Sequence, residues 1–117
     1  MAQIAKSRGI PTASVVSGAY FDDESKLPKL YQCTDIYIDN CVPHGDAVMQ
    51  IPGCDTGMGS LSTVASAFIM QSVLLCAAEI ATKAGAKPPI YKSGNVAGGA
   101  EFNKELIKAY MPRIKHL

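Results

Sequence analysis

The stretch GMGSLSTVASAF, residues 57–68, sets two glycines and three hydroxyl residues just ahead of a long apolar run. A helix starting there points free N–H groups and its positive dipole end outward, so Gly59, Ser60, Ser62 and Thr63 are candidate phosphate ligands. Ordinary capping by Ser60 or Ser62 accounts for the same residues without a ligand. A second glycine-rich turn, SGNVAGGAEFN at 93–103, leads into another helix and offers Asn95 and Glu101. An acid near a helix start is also common for stability alone. DNCVPHGDA, 39–47, places His44 close to Asp46, a pair that transfers protons if the two side chains meet. A lone histidine in a Pro-Gly turn is otherwise simply solvent-exposed.

Cys41, His44, Asp46 and Cys54 lie near one another in sequence, but their spacing matches no common zinc pattern, so no metal is expected. There is no Ser/His/Asp order, no Walker loop and no G-x-G-x-x-G. No cofactor is expected, and no catalytic residue is assigned.

These candidates need elements to hold them. MAQIAKSRG, 1–9, reads as the last turns of a helix stopped by Gly9, and IPTASVVSG, 10–18, as a buried strand. AYFDDESKLPKLYQC is polar and irregular, with a helical turn around 27–31. DIYIDN, 35–40, alternates as a second strand. Residues 41–59, rich in Gly and Pro, read as one long connection. A helix capped at Ser60 or Ser62 then runs to Gly85, about 35 Å at 1.5 Å per residue. PPIYKS, 88–93, is a third short strand, and residues 101–110 form a last helix with Leu106, Ile107 and Tyr110 on its apolar side.

The chain has 117 residues, 48% hydrophobic and 18% charged, with net charge +1. One small domain suits that size, and no basic patch draws nucleic acid. Four cysteines without a C-x-x-C pair, and an opening segment without an apolar leader core, favour a reduced, cytoplasmic setting. VASAFIMQSVLLCAAEIA, 64–81, is broken by Ser66, Gln71, Ser72 and Glu79. It reads as a helix buried nearly all round rather than a membrane span. Val64, Phe68, Leu75 and Ile80 are expected to face the sheet. Leu61, Ile69, Val73 and Cys76 are then left for another subunit, which predicts self-association at micromolar concentration.

The order SKLPKLYQCTDIYIDNCVPHGDAVMQIPG, GSLSTVASAF, PPIYKSGNVAGGAEFN and LIKAYMPRI resembles the C-terminal half of sugar isomerase (SIS) domain proteins. The similar group is that of bacterial phosphosugar-binding or phosphoheptose-isomerase-like SIS proteins. The resemblance implies an α/β fold, the C-terminal half of a flavodoxin-like parallel-sheet sandwich. It also implies three short strands, one long buried helix, a sugar-phosphate ligand and a homo-oligomer. Residues 1–117 are then a single partial domain without the family's N-terminal phosphate-loop half, and the partner implied is a second copy or a complementing N-terminal half.

The resemblance also bears on the candidates one by one. In the glucosamine-6-phosphate synthase branch a Ser-Thr pair sits where this chain has Ser62 and Thr63. A glutamate five residues earlier and a lysine after the pair supply acid/base chemistry there. This chain has Gly57 and Val64 at those places, and neither side chain moves a proton. Around Glu101 and Asn103 the family commonly has an acid and a histidine, where this chain has Ala100 and Phe102. The expectation is phosphosugar binding without independent isomerase activity. The alternatives are a structural or oligomerisation module and a small isomerase whose site is completed across a dimer.

Overall fold

A computed structural model of the chain describes residues 1–114. They form two units, Met1–Leu74 and the residues from Leu75 onward. The first contains helix α1 (Ala2–Ser7), strands β1 (Ala13–Val16), β2 (Ile36–Asp39), β3 (Ala47–Met49) and β4 (Met58–Ser60), and the start of helix α2 (Leu61–Lys83). The second contains the rest of α2 and helix α3 (Gly99–Tyr110).

The β-branched run at 13–16 pairs in parallel with the alternating run at 36–39, from Ala13 opposite Ile36 to Val16 opposite Asp39. Carboxylates clamp both ends of this pair. At one end Asp35 Oδ2 accepts the Thr12 N–H at 2.9 Å and the Thr12 hydroxyl at 2.7 Å. At the other, Asp39 Oδ1 accepts the N–H groups of Gly18 and Cys41, at 2.9 and 2.8 Å. The Thr12 hydroxyl above all holds Asp35 below the usual carboxylate range, and the Gly18 N–H does the same for Asp39. Between these clamps Phe21 stacks on Tyr31, with ring centroids 4.1 Å apart, and both rings meet Tyr37 edge-on. The polar 19–33 stretch therefore covers β2 with aromatic rings and two short 3-10 turns, Gly18–Tyr20 and Leu30–Cys33.

Residues 41–59 are not one structureless connection. β3 and β4 form an antiparallel hairpin, Ala47 opposite Ser60 and Met49 opposite Met58. Three-residue strands carry too little alternation to be seen in a sequence that also holds four glycines. The third expected strand, 88–93, is absent too. Pro88 and Pro89 have no N–H to donate, and the side chain of Asn103 takes up the backbone of Lys92 instead. It accepts the Lys92 N–H at 2.9 Å and donates to its carbonyl at 2.8 Å. Among the described residues the result is a mixed α/β architecture with two two-stranded sheets.

Helix ends follow the sequence closely. Gly85, at φ 78°, adopts the left-handed backbone that ends α2. Its N–H bonds to Thr82 and that of Ala86 to Ala81, the paired closure that a C-terminal glycine permits. α3 starts two residues earlier than expected, at Gly99, and carries Leu106, Ile107 and Tyr110 on its half-buried side.

Burial departs most from expectation. Within the first unit only Val42 and Ser14 are buried among the described residues, and Val42 is the one apolar side chain of that core. No residue of α2 is buried. Val64, Phe68, Leu75 and Ile80, expected to face the sheet, are 67–74% exposed, whereas Ile69, assigned to the outer face, is half-buried. The cause is a shortage of covering chain. Two strands of four residues offer far too little surface for a helix apolar round its whole circumference. By length and composition α2 also suffices to cross a membrane, a test that core helices pass as well.

Candidate functional site

Four of the six candidate ligands converge at the start of α2, because the β3–β4 hairpin returns the chain to Asp46. Leu61 donates its N–H to the Asp46 carbonyl at 3.2 Å. The carboxylate then caps the helix. Oδ1 accepts the Ser62 N–H at 2.6 Å, and Oδ2 accepts the hydroxyls of Ser60 and Ser62 at 2.7 and 2.8 Å. The Thr63 hydroxyl lies 3.1 Å from Ser60 Oγ, whose lone pairs remain free to accept it. The Ser60 hydroxyl first, then the Ser62 N–H and hydroxyl, hold Asp46 below the ordinary carboxylate range. A fixed negative charge at this end also suits the helix dipole.

The cluster is thus an internally satisfied cap, supplied from sixteen residues upstream rather than by Ser60 or Ser62 alone. Gly59 has a backbone role in it. At φ 80° it takes left-handed backbone within β4, just ahead of Ser60 and the helix, and an added Cβ would press on Met49. An incoming phosphate would meet the Asp46 carboxylate on the same donors. Millimolar inorganic phosphate is therefore expected to leave the amide resonances of Gly59–Thr63 in place. Saturable shifts confined to those five amides would show that the anion displaces the carboxylate.

His44 and Asp46 are not brought together. His44 stacks on Tyr20, with centroids 4.5 Å apart, and its Nε2 lies 3.6 Å from Asp23, while Asp46 points to α2. The Tyr20 hydroxyl accepts the Gly45 N–H at 2.7 Å, which fixes the turn between them. A proton relay from His44 to Asp46 is not formed. Among the described residues no three of His, Cys, Asp and Glu gather as a metal cage would require, and all four cysteines are free thiols.

The other two candidates belong to the second unit. Asn95 donates its N–H to the Ser93 hydroxyl at 3.3 Å, closing a turn. Glu101 sits in the first turn of α3 and pairs with Lys104 at 2.9 Å, both side chains exposed. Lys92 lies over the Phe102 ring, 4.4 Å from its centroid. These contacts stabilise a helix start. Among the described residues, two pockets of this unit are lined by Pro89, Tyr91, Leu106 and Tyr110 and by residues beside them, with neither Asn95 nor Glu101 in the lining. In the first unit an apolar groove of about 590 Å³ runs between α1 and β1, past Ile4, Ile10, Val15 and Leu30, and includes none of the candidates.

Sequence reasoning missed Asp46 as the helix cap. Its acidic side chain in a Pro-His-Gly turn was visible, but the hairpin that carries it to Ser62 was not.

No protein-family model matches the chain. It is similar to proteins named UPF0309. One from Caldanaerobacter subterraneus is 37% identical over 122 residues, covering 97% of this chain and 48% of the relative. Another, from Thermoanaerobacter pseudethanolicus, is 34% identical over 119 residues, covering 97% and 48%. A third, from Streptomyces griseus, is 34% identical over 118 residues, covering 97% and 47%. The chain spans about half the length of these curated relatives.

Proposed function

We propose that this chain is part of a SIS-type unit that binds a phosphorylated carbohydrate in the cytoplasm, and that alone it is not an isomerase. One observation carries the second half of this reading. The α2 start, where the glucosamine-6-phosphate synthase branch that it resembles has a Ser-Thr pair between acid/base residues, is occupied by Asp46 and flanked by Gly57 and Val64, none of which is placed to shuttle a proton between sugar carbons. The near absence of buried side chains among the described residues supports the reading that the chain is part of a larger unit. A binding site built on two small sheets needs further polypeptide to make it rigid and to exclude water. Similarity to relatives twice as long supports the same completion.

The exposed apolar surface of α2 favours a second reading, a structural module whose work is assembly.

Calorimetric titration with fructose, glucosamine and sedoheptulose phosphates tests the proposal, together with an assay for aldose–ketose interconversion. The chain alone is expected to give no turnover and at most millimolar binding. Turnover abolished by Ser62→Ala would overturn the non-catalytic reading. Absence of any binding after the chain is co-expressed with the unmatched half of a relative, in a complex that does form, would leave the assembly reading in its place.

A further inference from the structure

We draw no further inference here: the strongest candidate, the apolar groove of about 590 Å³ between α1 and β1, lies open in a chain that spans about half the length of its relatives, and nothing in the structure shows what covers it.

Discussion

Val42→Ala is expected to lower the unfolding free energy by about 2 kcal/mol, more than any single truncation along the exposed face of α2. Val42 is 2% exposed and is the only large side chain fully enclosed in the first unit among the described residues. Its backbone is pinned on both sides. The N–H donates to Asn40 Oδ1 at 3.1 Å, and the carbonyl accepts the Ser17 hydroxyl at 2.6 Å. The site therefore cannot collapse around a smaller side chain, and a cavity term adds to the ~0.8 kcal/mol lost with each buried methyl-sized group.

A unit with so small a core has little stability in reserve. Phe68→Ala removes a far larger group, yet at 74% exposure it should change monomer stability by less than ~0.5 kcal/mol. Urea unfolding followed by circular dichroism, at matched and dilute concentration, separates the two effects. An unchanged midpoint for Val42→Ala, beside a large fall for Phe68→Ala, would mean that α2 and not the 40–42 corner forms the core.

The elements read best from the sequence are those whose signals are local. The stop at Gly9, the β-branched 13–16, the alternating 36–39, the stop at Gly85 and the amphipathic 101–110 all depend on residues within one or two turns of each other. What escaped depends on partners. A strand at 88–93 needs a neighbour, and two prolines with Asn103 on the backbone of Lys92 leave none. The hairpin at 47–60 is two three-residue strands that gain meaning only when Met49 finds Met58.

For α2 the composition correctly indicated a helix apolar all round. Which face is covered is not a property of the helix, and the expected assignment of Val64, Phe68 and Leu75 to the sheet does not hold, since all three are exposed. At the candidate site the hydroxyl cluster was legible as a helix start. The group that satisfies it was not, because Asp46 reaches Ser62 only through the hairpin.

That contact yields the second large effect. Asp46→Gly should free the Ser62 amide and loosen the first turn of α2, with amide exchange at Ser62 rising about tenfold or more as the cap is lost. Glycine is the informative substitution because Asp46 sits at φ 59°. Alanine there would add backbone strain to the loss of the carboxylate, while glycine takes that backbone freely. Asp46→Asn keeps one carbonyl acceptor and the tolerance for left-handed backbone, so its effect should fall between wild type and glycine.

Protonation of the wild-type carboxylate is a third way to weaken the cap, and its sign is fixed. The Ser60 hydroxyl and the Ser62 N–H and hydroxyl hold the folded Asp46 below its unfolded value. Its contribution is therefore fully present above the ordinary aspartate range, about pH 4, and is lost as the pH falls through the lowered folded value. Asp35 and Asp39 titrate in the same direction at the ends of the β1–β2 pair, so global acid unfolding mixes all three. The Ser62 amide resonance isolates one of them. It should be constant from neutral pH down to about 4 and then move toward the position seen in Asp46→Gly. A Ser62 resonance that is the same in both proteins across that range would remove Asp46 as the cap and leave the α2 start open.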